Sequence, residues 1–239
     1  MRAIMQREFK EYIYSLRGIA FAVLFLIVSG ISYIRFCFGG ASFLFSDIYN
    51  EISKALVLLC PILMMVYSIR TKGKTNPDIL LFSSPVSTSS IIIARFFAAW
   101  LYYEIVLVST VICIPLISYY RTIAAGDVFI NYLTISLLGA VLIAVCQFFA
   151  SICSSRFTMY VSGASVLFVF YVFSNTELLI PDGASSYILK MFSVFNAYQE
   201  LASGIFSFSA VIRLLSMVFL FLFMSRMATE MRFRTGRSI

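Results

Sequence analysis

Long apolar segments that carry almost no charge recur along this 239-residue chain, and they constrain its fold more than any other feature. The segments at 19–38 and 128–153 are long enough, at about 1.5 Å per helical residue, to cross the roughly 30 Å hydrocarbon core of a bilayer. In lipid, backbone hydrogen bonds must be made within the protein, which leaves helix bundles and closed barrels. Because the runs are continuous and do not alternate, they exclude the barrel. The sequence therefore predicts an all-α membrane protein.

The composition agrees, since 61% of the residues are hydrophobic and only 12% are charged. A soluble fold of this size does not need so much apolar surface. The net charge of +7 is interpreted as a record of topology, because basic residues tend to stay on the cytoplasmic side. No groove-like pattern of arginines and aromatics accompanies it, so we expect no nucleic-acid partner.

We expect a single transmembrane domain over residues 1–239, built as a six-span helix bundle. The predicted spans are 19–38, 52–69, 89–119, 128–153, 157–174 and 205–224. Most basic residues then fall on the side that holds both termini, which makes that side cytoplasmic. Five basic residues fall elsewhere: Arg35, Lys54, Arg121, Lys190 and Arg213.

Two further elements are predicted not to span. Residues 1–17 have apolar side chains at the helical spacing of Met5, Phe9, Tyr12, Ile13 and Leu16. This periodicity next to a span predicts an N-terminal helix lying in the cytoplasmic interface. Residues 184–204 are too polar and too short to span, so they are expected to form an external re-entrant helical hairpin before span six.

The cytoplasmic loop between spans two and three contains a short apolar helix, predicted over 76–87. Its centre, Asp78–Val86, is closed by Pro85, and such an apolar segment on a cytosolic face indicates a protein that contacts it. Upstream, Gly73-Lys74-Thr75 imitates the end of a phosphate-binding loop. The full pattern needs a glycine where Ser68 stands, so we expect no ATP binding by this chain.

Glu104 is the one acidic residue well inside an apolar run. An unpaired carboxylate at that depth costs several kcal/mol, so we expect a basic or hydroxyl partner on a neighbouring span. Two alternatives stay open. Span three could project into the cytosol and lift Glu104 toward the inner interface beside Trp100, or the carboxylate could act as a proton relay.

Spans one and five contain small side chains that permit close contact between helices. We expect them to meet across an interface with a second chain, and packing within the chain is the alternative. The candidate interface residues are Gly18, Ala22, Ser162, Gly163 and Ser165.

Metal, cofactor and catalytic sites are not expected. The chain has no histidine, and its five cysteines form no C-x-x-C pair. A membrane-embedded enzyme would need a nucleophile and base, or metal ligands, facing each other.

Three stretches together resemble the permease subunits of type 2 ATP-binding-cassette (ABC) exporters, closest to the gliding-motility type. They are Met1–Gly18, Asp78–Ser87 followed by Ile91–Trp100, and Phe192–Ile205. The resemblance extends over essentially the whole chain. It implies that two six-span units form a transport pathway and that a separate pair of ATPase subunits binds ATP and Mg.

The same resemblance implies a bacterial cytoplasmic-membrane protein with both termini in the cytoplasm, surrounded by membrane lipid and paired with a second copy or a related permease. The chain itself would be no enzyme. The coupling helix that contacts the ATPase would consist of Asp78, Ile79, Leu80, Leu81, Phe82, Ser83, Ser84, Pro85 and Val86. The alternative functions are a channel or secondary transporter using Glu104, and a membrane-embedded enzyme.

Overall fold

The structure is a computed structural model that describes residues 2–38, 45–65, 88–115, 125–153, 155–176, 194–202 and 207–234. Within these ranges it contains eight α-helices and no strand. The helices are α1 (Arg2–Tyr14), α2 (Leu16–Phe38), α3 (Phe45–Met64), α4 (Thr88–Ser109, extended by a 3₁₀ turn at Thr110–Cys113), α5 (Ala125–Ile152), α6 (Arg156–Thr176), α7 (Val194–Ala202) and α8 (Phe208–Arg234). The prediction of an all-helical fold is confirmed for this part of the chain.

Four of these helices are long and apolar enough to cross a membrane: α2, α4 with its 3₁₀ turn, α5 and α8. Helix α6 supplies a shorter apolar stretch at Phe157–Val172. Helix α3 has Asp47, Glu51 and Lys54 in its first half and turns apolar after them. These lengths and compositions support a membrane helix bundle.

Helices α2, α3 and α8 have different bounds from the predicted spans, and polar side chains near the starts of α2 and α3 have hydrogen-bond partners. Helix α2 begins at Leu16 because the Ser15 hydroxyl oxygen accepts a hydrogen bond from the Gly18 N–H, 3.0 Å away, as a helix-capping serine does. Helix α3 begins at Phe45, before the predicted start at 52, and its Glu51 pairs with Arg35 of α2 at 2.7 Å. Helix α8 continues past residue 224 to Arg234.

Helix α5 is the centre of the bundle. It packs against α3, α4, α6, α7 and α8, and 72% of its membrane-length window is buried, against 33% for α2 and 28% for α8. Residues 141–146 have no exposed surface at all. A helix that is apolar all round is expected at such a central position, because every face contacts another helix.

Helix α7 is short and mostly inside the protein. Its apolar side chains are buried against α3, α5, α6 and α8, and the buried set is Val194, Phe195, Ala197, Tyr198, Leu201 and Ala202. It falls within the predicted hairpin 184–204, of which residues 184–193, 203 and 204 lie outside the described ranges. Nine helical residues rise only about 13 Å, so α7 cannot cross the bilayer by itself.

Helix α1 packs against α4 and α2 with part of the predicted face. Tyr12 is buried and Met5 and Phe9 pack against the core, as the periodicity predicts, whereas Ile13 and Leu16 are exposed. Glu8 is buried as well, and hydrophobicity does not indicate that position.

Tyr103 fixes the separation of α4 and α5. Its ring has no exposed surface, and its hydroxyl donates a hydrogen bond to the Ile135 carbonyl oxygen at 3.0 Å. One turn further along α5, Gly139 leaves the room that the ring occupies, since a Cβ there would collide with it. Gly30 on α2 is the opposite case, with nothing within 4 Å of a Cβ.

Replacing Gly139 with Ala should therefore destabilise the protein by about 1–3 kcal/mol, the usual range for overpacking a buried contact. Gly30→Ala is the matched control and should be neutral or slightly stabilising, since alanine favours a helix over glycine. Thermal unfolding of the two purified variants in detergent measures the difference. Equal unfolding temperatures would contradict the role assigned to Gly139.

Candidate functional site

One end of the bundle collects most of the basic residues and is called the basic end here. It comprises α1, the carboxyl ends of α3, α5 and α8, and the amino ends of α4 and α6. Among basic residues in the described ranges, only Arg35, Lys54 and Arg213 lie toward the opposite end. The basic residues that the sequence assigns to one side of the membrane thus lie together at one end of the bundle.

A buried ion pair joins α1 to α4 at the basic end. Glu8 Oε1 lies 3.4 Å from Arg95 Nε, and the two side chains are only 7% and 5% exposed. Removing two charges from water costs several kcal/mol per ion, so such a pair persists only where the surroundings hold both partners together. Sequence reasoning assigned Arg95 to the cytoplasmic side and did not pair it. The sequence signal for this pair is that Glu8 lies three residues after Met5 and four residues before Tyr12. This spacing puts Glu8 on the face of α1 that packs against α4.

Aromatic stacking and hydrogen bonds reinforce the same junction. The rings of Tyr12 and Tyr102 stack with their centroids 6.0 Å apart, and the Tyr102 hydroxyl donates to the Gly18 carbonyl oxygen at 2.8 Å. Arg17 Nη1 donates to the Met65 carbonyl oxygen at 2.9 Å. The bend between α1 and α2 is therefore attached both to α4 and to the chain just beyond α3.

These contacts matter because residues 66–87 connect α3 to α4 at this end. The predicted coupling residues Asp78–Val86 lie outside the described residues, but both flanks of the connection are described. On one side Arg17 binds Met65. On the other, Thr88 Oγ1 donates to Glu230 Oε1 of α8 at 3.0 Å, and Arg226 Nε lies 2.9 Å from the same oxygen.

Inside the bundle, Glu104 is half-buried and has a hydroxyl partner. Ser136 Oγ on α5 donates to Glu104 Oε1 at 2.6 Å. Cys113 and Ala125 mark the ends of α4 and α5 that lie away from the basic end. Glu104 lies nine residues before Cys113, and Ser136 lies eleven residues after Ala125. Both side chains are therefore about 14–17 Å from those helix ends. That is about half of a 30 Å hydrocarbon core. A hydroxyl on a neighbouring helix, one of the partners expected for Glu104, is therefore present.

Further polar contacts hold α5 to its neighbours. Gln147 Nε2 donates to the Ile92 carbonyl oxygen of α4 at 2.9 Å, and the Ser151 and Ser225 hydroxyls of α5 and α8 are 2.7 Å apart. All three side chains are buried. Buried polar groups of this kind specify how helices align in an apolar bundle.

The predicted interface residues divide into two groups. Gly18 and Gly163 are buried within this chain, which corrects their assignment to a contact with a second chain. A Cβ on Gly18 would overlap the Tyr12 carbonyl, and a Cβ on Gly163 would lie 3.7 Å from Cys146 Sγ. Ser165 is exposed, and Ala22 and Ser162 are half-buried. Only this second group offers surface to a partner.

The opposite end has its own polar contacts. Arg35 pairs with Glu51, and Arg213 of α8 pairs with Glu200 of α7, which attaches the short helix to a long one. Burial raises the pKa of the Tyr198 phenol, which points from α7 into the bundle and stays neutral at physiological pH.

Among the described residues, no group of three or more histidine, cysteine, aspartate or glutamate side chains is placed to hold a metal ion. The five cysteines are free thiols.

No protein-family model matches the sequence, and comparison with curated proteins finds no match either.

Removing one partner of the buried pair should destabilise the protein, because the other charge stays buried. We expect Arg95→Met to lower the free energy of unfolding by about 3–5 kcal/mol, because it leaves Glu8 buried without this cation. The double variant Glu8→Leu/Arg95→Met should recover most of that loss. Arg7→Met, which breaks the exposed pair between Arg7 and Glu11, is the control and should change stability by less than about 1 kcal/mol. A double variant as unstable as Arg95→Met would contradict this interpretation.

Proposed function

We propose that this chain is the transmembrane permease subunit of an ABC transporter, working as an exporter. A separate ATPase subunit would supply the hydrolysis, with ATP and Mg bound there and not in this chain. The proposal starts from the resemblance of three stretches of the sequence, and the arrangement at the basic end supports it.

In this proposal the basic end faces the cytoplasm of a bacterial cell, because basic residues are retained on that side during membrane insertion. Helices α3 and α6 join the four long apolar helices as spans, which gives six spans and two cytoplasmic termini. Helix α1 then lies along the inner membrane surface, and α7 belongs to a re-entrant element on the outer side.

The observation that carries the proposal is that Met65 and Thr88, the described residues on either side of 66–87, each bind another part of the bundle. A subunit that pushed on Asp78–Val86 would act through Met65 on the bend between α1 and α2, and through Thr88 on α4 and α8. The buried pair Glu8–Arg95 would keep α1 and α4 moving together. This is the mechanical connection that a coupling helix needs.

The partner subunits can be tested directly by purification. We expect the affinity-tagged chain, solubilised gently from its native membrane, to bring down an ATPase of ABC type. The mass of the complex should correspond to two permease chains, either two copies or one copy and a related permease, in contact through the surface that includes Ser165. Recovery of the chain without any ATPase, under conditions that preserve other membrane complexes, would refute the proposal.

The coupling segment has a sharper test. Replacing Leu81 and Phe82 by Asp should detach the ATPase and abolish stimulation of its activity by the permease, because the apolar contact is lost. Ser83→Asp/Ser84→Asp is the matched control: it adds the same charge to the same segment and leaves Leu81 and Phe82 in place. Co-purification and ATPase assays should separate the two double variants. If both behave like the native chain, the segment is not the contact.

A channel or secondary transporter is the second candidate function, and the Glu104–Ser136 pair near mid-membrane favours it. Glu104→Gln keeps the shape and an acceptor for Ser136 but cannot lose a proton. If the carboxylate relays protons, this variant should remove the pH dependence of transport. If the pair is structural, transport should keep its pH dependence, and Ser136→Ala should lower the unfolding temperature of the native chain.

A further inference from the structure

An apolar groove runs along the membrane-facing side of the bundle between α4, α5 and α8. Its volume is about 570 Å³, and its walls include Phe96, Trp100, Leu137, Val218 and Phe219. Both α4 and α8 are membrane-length apolar helices, and Phe97, Phe219 and Phe223 along the groove are exposed. The groove therefore opens sideways, toward the bilayer.

The groove is apolar along its length and polar only at one end. Ser89 and Arg226 close it at the basic end. The hydrogen bond from Arg226 to Glu230 uses Nε, and a guanidinium has five N–H donors, so the terminal nitrogens can take another acceptor. The amino end of α4, which begins at Thr88, adds the positive end of a helix dipole beside Arg226.

The length of the groove matches one leaflet of a bilayer. From Ser89 to Trp100 on α4, and from Leu215 to Arg226 on α8, the walls extend over eleven helical residues, or about 16 Å. Half of a 30 Å hydrocarbon core is about 15 Å. The groove thus reaches from the headgroup level at the basic end to the middle of the membrane.

From this shape and charge we infer that the groove is a binding site for an anionic phospholipid of the leaflet at the basic end. One acyl chain lies along the apolar walls as far as Trp100, and the headgroup phosphate pairs with Arg226. A helix of the same length and about 10 Å diameter would fill about 1,200 Å³, twice the volume of the groove. The site does not depend on whether the chain is an ABC permease, so its test is separate from that proposal.

The chain contains a single tryptophan, and Trp100 lies at the deep end of the groove. Its tryptophan fluorescence therefore comes from this site alone and is quenched by bromine atoms that come close to it. The purified protein is reconstituted in phosphatidylcholine vesicles that contain increasing fractions of phosphatidylglycerol brominated in the distal half of the acyl chain. A second series of vesicles contains brominated phosphatidylcholine instead. It is the reference lipid, because it carries no net charge.

We expect the brominated phosphatidylglycerol to quench Trp100 at about a five-fold lower mole fraction than the brominated phosphatidylcholine, since a basic residue near a membrane surface contributes about that factor for an anionic lipid. Arg226→Gln should remove the preference. Arg7→Gln is the matched control, because Arg7 also lies at the basic end and pairs with an acid four residues later on a helix. This control should keep the full preference.

Two results would overturn the inference. Equal quenching by the two lipids in the native chain would show that the groove does not select an anionic headgroup. Equal loss of preference in Arg226→Gln and Arg7→Gln would show a general surface charge effect. The unfolding temperature of each variant confirms that it remains folded.

Discussion

The bundle depends on the hydrogen bonds that α5 makes with its neighbours, because a bilayer offers polar groups no solvent. Along α5 the first three of these contacts are made with α4 and the last one with α8. The Ile135 carbonyl accepts from Tyr103, Ser136 binds Glu104, Gln147 reaches the Ile92 carbonyl, and Ser151 meets Ser225 of α8. Apolar packing in lipid has little directional preference, so these contacts define how far each helix slides and turns against the next. The groove between α4, α5 and α8 keeps its shape because its walls are held this way.

Much of the helical content was predictable because apolar length is a strong local signal. The first predicted span, 19–38, ends where α2 ends, and the centre of α5 follows from an uninterrupted apolar run. The start of α3 was not predictable in this way, because Asp47 and Glu51 conceal it. The charge on Glu51 is tolerated there because Arg35 lies on the neighbouring helix, which is information that a single segment does not contain.

The polar contacts between distant segments were harder to foresee. Glu104 was identified as a residue that needs a partner, and Ser136 is a hydroxyl on a neighbouring helix, but no pattern singled out that serine among the others. Glu8 shows the opposite difficulty, since the apolar periodicity of α1 identified Met5, Phe9 and Tyr12 but not the acid buried beside them. Small residues were ambiguous for a physical reason. Gly18 and Gly163 permit close approach to any helix, and the sequence does not show whether that helix belongs to the same chain or to a second one.

The pair between Glu8 and Arg95 also has a consequence for biogenesis. Its two members are 87 positions apart in the sequence, so the acid leaves the ribosome well before the arginine that neutralises it. At about 5–20 residues per second, the interval is about 4–17 s. During that time α1 cannot complete its contact with α4. Docking of α1 is therefore a late event in assembly, although α1 is synthesised before α4.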